Sequence, residues 1–570
     1  MARFILFLSI FGFQAATLFG QSVFAPLNAD YYHLVDRYEI KSGKNAPGYQ
    51  STVKPYLRKY IIQLLDSLSA DQYRLLSEAD KFNIQYLRED SWEWSQASGT
   101  ATSDKPFLKH LYEKKNDLYS IVNDDVELHI NPVFYGLVGG GQDVYKYSYI
   151  NTRGIEIRGS VGNKLGFYTY FTENQMRLPG YFQERIQNFN SVPSEAAWKI
   201  FRSNNTAQFP YETSSDFFTA RGYITFDPIK QINLQFGHDK VFIGNGFRSM
   251  ILSDNSGPYL FLKLSTKIGP FQYINLFSEL NNQQDTLLTY GTLPAKKFMA
   301  MHHLGLNIGK HLNIGLFETI IHSRDRTQGY FDLGYLNPII FYRAIEAQKY
   351  SADNSLLGLD ARYNFLKQFQ IYGQLNLDEF NLQKLRQQKG WWGNKIGYQI
   401  GAKYIDAFDI ENLDVQIELN GARPYTYQHV SDRTNYVNSN QSLAHPFGGN
   451  FREFVSTIRY QPLPRLNLTG IFVGAHYGLD LVGRNYGGNP LLSYNNRPAD
   501  REFGNFIGQG VGTNLLYGEL VASYQLRHNV FLDFRQIYRK QNSILDQFDR
   551  QTVFSSFSVR INTAQRLLAF

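Results

Sequence analysis

The side chains that could carry chemistry in this chain are many, but few stand at a workable spacing. His302 and His303 are adjacent. Neighbours on a strand point to opposite faces, so the two imidazoles cannot converge on one metal ion. Asp378-Glu379 fails as a paired acid and base for the same geometric reason. Gly139 to Gly141, followed by Asp143, has the glycines of a phosphate cradle without a Walker lysine or a following helix, and reads as a hairpin tip. Ser253-Asp254 offers a hydroxyl beside an acid, but no spacing ties a histidine base to it. The absence of cysteine removes thiolate metal sites, disulfides, cysteine nucleophiles and an acylated N-terminal cysteine. No catalysis, metal or cofactor is expected.

Recognition chemistry is better represented. Gly390-Trp391-Trp392-Gly393-Asn394 places two indoles in a loop, where they can stack on sugar rings or anchor at a membrane interface. Arg423-Pro424-Tyr425-Thr426-Tyr427 adds a cation and two rings to the same rim, and together they suit a polyanionic glycan. Arg343, Glu346, Asp360, Asp378 and Arg423 are read as lumen or rim polar contacts, with Trp391 and Trp392 as stacking groups.

The elements that must position these groups follow from composition and period. There are 570 residues with 44 Phe, 40 Tyr and 5 Trp. Mean hydropathy is −0.35 with 19% charged residues, which excludes a bundle of membrane helices, while the aromatic share excludes disorder. The formal charge of +7 is dispersed, with no compact basic cluster, so nucleic acid is not an expected partner. Met1 to Gly20 has a short positive end, an apolar run and a small-residue exit, and reads as a secretory signal peptide cleaved after Gly20.

Residues 21–125 read as a helical periplasmic region. Pro55 suits a first helical position, with Tyr60, Ile61, Leu64, Leu65 and Leu68 as one stripe. Ser69 and Gln72 form a capping box that opens a second helix, which buries Leu75, Leu76, Phe82 and Ile84.

From Val126 the period changes to 2. In one segment Asn412, Asp414, Gln416, Glu418 and Asn420 oppose Leu413, Val415, Ile417 and Leu419. Eighteen such segments, joined alternately by tight turns and long loops, read as an all-β transmembrane barrel of about 18 antiparallel strands over 126–570. A soluble sandwich has no reason to sort its loops by parity. Counting 334–346 as a strand breaks that parity, so 323–355 reads as one outer loop whose 338–347 stretch folds into the barrel mouth or lumen. The expected surroundings are outer-membrane lipid and, because Phe570 ends the chain on an aromatic, the outer-membrane assembly machinery. The signal peptide is expected to be removed and both termini to lie in the periplasm.

Phe236 to Asn255 carries a glycine-flanked turn, Gly244-Asn245-Gly246, that leads into Leu252-Ser253-Asp254-Asn255. This resembles the signature of the Wzi-like capsule-assembly outer-membrane proteins. Tyr335 to Glu346, Asp353 to Asp360, Tyr372-Gly373-Gln374 and Leu377 to Phe380 are similar to the Bacteroidota branch of that family, which includes RemB-like gliding-motility proteins. The resemblance implies an N-terminal helical bundle before an eighteen-stranded barrel, and a role in holding surface polysaccharide or in motility rather than catalysis. Phe242-Ile243-Gly244 departs from the enterobacterial pattern, which has a bulky aromatic near the turn. The competing functions are a porin or substrate-selective channel, which would conduct ions freely, and an outer-membrane hydrolase.

Overall fold

The computed structural model describes residues 21–95, 101–103, 110–123, 125–162, 164–196, 199–203, 213–282, 295–324, 329–338, 341–349 and 351–569. Residues 1–20, expected to be a signal peptide, and Phe570 lie outside them. Eighteen antiparallel strands close into one barrel. In chain order they are β1 Val126–Gln142, β2 Ser148–Val161, β3 Leu165–Arg177, β4 Thr213–Ile229, β5 Ile232–Asp239 and β6 Tyr259–Ile268. The next six are β7 Phe271–Asn282, β8 Ala295–Ile308, β9 Leu312–His322, β10 Asn354–Phe365, β11 Phe369–Glu379 and β12 Lys395–Tyr404. The circle is completed by β13 Leu413–Ala422, β14 Phe451–Leu463, β15 Leu466–Leu479, β16 Val511–Arg527, β17 Val530–Ser543 and β18 Arg550–Ile561. The β18 strand pairs back onto β1 with Phe557 opposite Val138, so no edge is left unpaired in the barrel.

Alternation sets the two faces. On β12 and β13, Gln399 and Glu418 are buried inside, while Ile400 and Leu419 point outward and are 61% and 51% exposed. Every connection on one rim is short, from 230–231 to 405–412, and the long loops lie on the other. Two exceptions, 143–147 and 544–549, are short on the long-loop rim. Gly139 to Gly141 are not a hairpin tip but the last part of β1, paired with β18; the tip is 143–147.

Four helices close the short-turn end as a plug: α1 Ala29–Ser42, α2 Arg58–Asp66, α3 Ala70–Arg74 and α4 Glu78–Asp90. Tyr38, Ile61, Leu64, Ile84 and Leu87 form their core. The capping box of Ser69 and Gln72 is present, but it opens only the short α3; Ser77 caps α4 separately. Pro55 is not a helix start, since α2 begins at Arg58 after the extended pair Val53–Lys54. The sequence reading has no counterpart for α1, whose inner positions carry charge. There Arg37 contacts Asp80, Asp406 and Asp414, while Asp36 pairs with Lys403 at 2.6 Å and Glu39 with Arg362 at 2.6 Å. These groups are buried only because the barrel wall supplies their partners.

Four further segments occupy the interior among the described residues. The segment 178–196 carries the helix α5 Gly180–Phe189, whose Tyr181 hydroxyl donates to the Leu568 carbonyl at 3.0 Å. The loop 240–258 descends from the long-loop rim until Phe242–Ile243 pairs with Val53–Lys54 of the plug. The loop 423–450 packs above it, with Tyr427 and Tyr436 hydroxyls donating to the carbonyls of Met250 and Ile251 at 2.8 Å each. The tail 562–569 turns back from the end of β18 into the lumen, where Arg248 donates to the Ala569 carbonyl at 2.9 Å.

The described residues of the expected inward stretch, 335–338 and 341–349, do not enter the mouth or the lumen. They form a clasp over the outward face of β7–β9 and contain the helix α6 Tyr342–Lys349. Asn275, His302 and Glu318 lie opposite one another in register on that outward face. The backbone N–H of Arg343 donates to Glu318 at 3.0 Å, and the Tyr342 hydroxyl meets His302 Nε2 at 2.7 Å. Bare polar groups facing hydrocarbon are expensive, and covering them is what draws this loop outside.

Candidate functional site

The long-loop rim gathers an aromatic and cationic cluster from three loops: 380–394, 423–450 and 480–510. The first carries the helix α7 Leu382–Arg386 and then Trp391 and Trp392. Gly390 takes φ +65°, and a Cβ there would meet the Asn505 N at 2.8 Å, so glycine is required where two loops touch. Across that contact Asn505 N donates to the Gly390 carbonyl at 2.9 Å and Trp392 N to the Glu502 carbonyl at 3.1 Å.

The indoles lie 5.8 Å apart at 50°. Trp392 is flanked by the Tyr494 ring at 4.8 Å and the Tyr425 ring at 6.3 Å, and the Arg497 guanidinium sits 4.2 Å from its centre. Both indoles are half-buried, so each keeps surface for a ligand. Around them, 380–394 carries Lys384, Arg386 and Lys389 and no carboxylate; Arg386 and Lys389 are exposed.

The sequence-derived candidates separate into distinct places. Trp391, Trp392, Arg423 and Tyr425 do come together. Arg423 is a clamp rather than a free cation: its guanidinium donates to the carbonyls of Asn394 (2.8 Å), Trp391 (3.3 Å) and Asn505 (3.4 Å). Tyr425 is fully buried, donates to the Asn485 carbonyl at 3.3 Å, and burial pushes its phenol up to about 12. Asp378 lies just beneath and accepts from Tyr427 N at 2.7 Å and Lys395 Nζ at 3.4 Å. Asp360 is remote, in the lumen wall, with His303 Nε2 at 2.6 Å. Arg343 and Glu346 are on the outer clasp, paired with each other at 3.3 Å.

Sequence reasoning missed Arg497 and Tyr494. They lie more than 100 residues from Trp392, and the only signal was their position in a long outer loop.

The signature turn is explained by packing. Gly244 takes φ +156°, and a Cβ on Gly246 would meet the Glu418 carboxylate at 2.1 Å. That carboxylate accepts from Phe247 N at 2.8 Å and Arg248 N at 3.1 Å. Ser253 Oγ donates to the Ala444 carbonyl at 2.5 Å, which commits it to holding the loop above rather than to nucleophilic attack.

His302 and His303 do point to opposite faces, toward Tyr342 and Asp360 respectively. One group among the described residues, Glu93, Glu127 and His129, could converge on a metal. Arg158 already binds Glu93, and His129 bridges Asp117 (2.7 Å) and Glu127 (2.9 Å), so the cluster is closed as an internal seal.

The chain matches the family model described as capsule assembly protein Wzi over residues 156–476. Among solved structures it is similar to Wzi of Escherichia coli, described as an outer-membrane protein involved in group 1 capsule assembly and a carbohydrate-binding β-barrel. The TM-score is 0.57 at 13% identity, covering 95% of this chain and 100% of that one. OprD of Pseudomonas aeruginosa gives a TM-score of 0.40 at 11% identity, over 76% of this chain and 94% of that one. OccAB2 of Acinetobacter baumannii gives 0.42 at 10%, over 76% and 97%. A comparison with curated proteins finds no match. The family model spans more than half of the sequence and the fold agrees from end to end, so this chain belongs to the Wzi family of capsule-assembly outer-membrane barrels.

Proposed function

We propose that this protein holds acidic surface polysaccharide at its outer rim and catalyses nothing. The observation that carries the reading is the Trp391, Trp392 and Arg497 cluster beside the stretch 380–394, which has three cations and no carboxylate, above an interior occupied at several levels. Indole faces match the apolar faces of pyranose rings, and guanidinium and ammonium groups match uronate or phosphate substituents. The carbohydrate binding named for the Escherichia coli relative supports the same assignment.

In this reading the leader is removed, the helical plug faces the periplasm, and the assembly machinery inserts the barrel into the outer membrane. The rim then tethers polymer to the cell. Kinship with the Bacteroidota branch would put the same tether at the service of gliding motility.

The test is binding of purified acidic polysaccharide to the intact chain in detergent, followed by isothermal titration. Saturable binding that is lost in the Trp391→Ala/Trp392→Ala double variant is expected. Equal binding by the wild type and the double variant would remove the rim from the function.

A further inference from the structure

Six lysines are buried among the described residues, and five of them have an oxygen within reach. Lys54 and Lys403 share Asp36, Lys395 has Asp378, Lys297 donates to the Asn435 side chain at 2.6 Å, and Lys240 donates to the Asp254 carbonyl at 3.0 Å. Lys263, on the inward face of β6, has none. It is 1% exposed, and what lies against its ammonium is the Phe24 ring of the plug at 4.3 Å. A phenyl face recovers only part of what an ammonium loses on leaving water.

The adjoining wall supplies no counter-charge. Lys263 stands opposite Gln235 on β5 and Leu276 on β7. Asp239, the inward carboxylate of β5, lies four positions beyond Gln235, about 13 Å along the strand. Between the plug and β5–β7, Lys263 instead lines a cavity of about 60 Å³, several times the ~10–15 Å³ that one water needs. The charged residues around it are Asp227, Lys230, Lys263 and Lys267. Asp227 is already engaged by Lys59 at 2.8 Å and Asn233 at 2.6 Å, and Lys267 donates to the Pro47 carbonyl at 3.1 Å. Three cations therefore stand against one carboxylate, and that carboxylate is neutralised.

Alternation along β6 puts Lys263, Ser265 and Lys267 on the same face, so a hydroxyl stands between two ammonium groups, and all three line the cavity. Neither the Lys263 ammonium nor the Ser265 hydroxyl has a hydrogen-bond partner among the described residues. Lys230 and Gln231, in the turn before β5, also line the cavity and connect it to the short-turn rim.

We propose that this cavity binds one small monovalent anion, a halide such as chloride, held by the Lys263 ammonium and the Ser265 hydroxyl. Phe24 and Tyr60 of the plug close the other side, so the ion ties plug to wall. The valence follows from charge, since one unpaired ammonium neutralises one negative charge. The size follows from the space, which is far below the ~300 Å³ at which pockets for organic ligands begin. The site is at the opposite end from the rim and stands apart from the polysaccharide reading.

The experiment is chlorine magnetic-resonance line broadening by the intact chain in uncharged detergent, together with crystals of the same chain soaked in sodium bromide. Excess broadening that bromide displaces is expected, with an anomalous bromide peak in contact with Lys263 Nζ. Lys263→Met keeps the side-chain length against Phe24 and should abolish both signals. Ser265→Ala should weaken binding about fivefold, the loss of one hydrogen bond. Bromide at surface lysines alone, an adventitious ion only, overturns the proposal, and so does broadening unchanged in Lys263→Met. Lys263 turned onto the Gln235 amide, whose oxygen has no partner, with water alone in the cavity, overturns it as well. Displacement of chloride by equimolar sulfate would overturn the monovalent assignment. The wild-type crystal decides the matter even if Lys263→Met does not fold.

Discussion

At the scale of single residues, the rim separates groups that hold from groups that touch. Arg423 satisfies three carbonyls from two loops, so Arg423→Ala leaves buried acceptors bare and should cost about 2 kcal/mol of local stability. Hydrogen exchange across 389–394 and 503–506 should quicken accordingly, with the barrel strands unaffected. Arg497 acts differently, because its guanidinium lies over an indole instead of joining loops. Arg497→Gln should leave exchange unchanged and weaken acidic polymer binding by about three- to tenfold, the range of an exposed to partly desolvated cation–π contact. An unchanged dissociation constant would assign the cation role to Arg386 and Lys389 instead. Sequence alone put the indoles, Arg423 and Tyr425 on one rim and read Arg423 and Tyr425 as surface contacts; carbonyls from the neighbouring loops instead engage the Arg423 guanidinium, and Tyr425 is buried.

At the scale of elements, the plug and the clasp show opposite uses of charge. In the plug, burial raises the Asp80 carboxyl, but Arg37 and Lys41 outweigh it and hold the group down at about 2. An ordinary aspartate titrates near ~3.9, so the native form binds its proton later than the unfolded one. The resulting stabilisation, about 2 kcal/mol, is complete above roughly pH 4 and lost as pH falls toward about 2. Protease cleavage within 21–95 should therefore rise over that window, and Asp80→Asn should shift the susceptibility to neutral pH.

The clasp covers an outward-facing carboxylate instead. Glu318→Ala should release the N–H groups of Phe341 and Arg343, and amide exchange in 341–349 should rise about tenfold while β8 and β9 keep their protection. Unaltered exchange there would mean that the Tyr335 and Tyr342 packing holds the clasp by itself. Apolar periodicity found α2 and α4, but not α1, because a helix whose inner face carries Arg37, Asp36 and Glu39 does not look amphipathic.

At the scale of the whole molecule, several insertions meet inside one cylinder: the plug from the short-turn side, the segments 178–196, 240–258 and 423–450 from the other, and the tail. The intact chain should conduct ions poorly in planar bilayers. A chain ending at Asn562 should open the side of β1–β4 and β16–β18 and give measurable conductance, and deletion of 21–125 should give more. High conductance from the intact chain would favour the channel reading over the polysaccharide one.

The order of the barrel was legible in the chain itself, since period-2 alternation and the parity of loop lengths are local properties that survive without knowledge of neighbours. Eighteen strands, their two faces and the opposite directions of His302 and His303 follow from that alone. Where the long loops go was not legible. The apolar run 338–347 points to the mouth or lumen when read alone, yet the clasp lies outside, because Asn275, His302 and Glu318, on three different strands, form a polar row only once the strands are in register. The rim cluster and the plug contacts have the same origin: Arg497 meets Trp392 across more than 100 positions and Arg37 meets Asp414 across hundreds, and only closure of the cylinder brings these groups within reach.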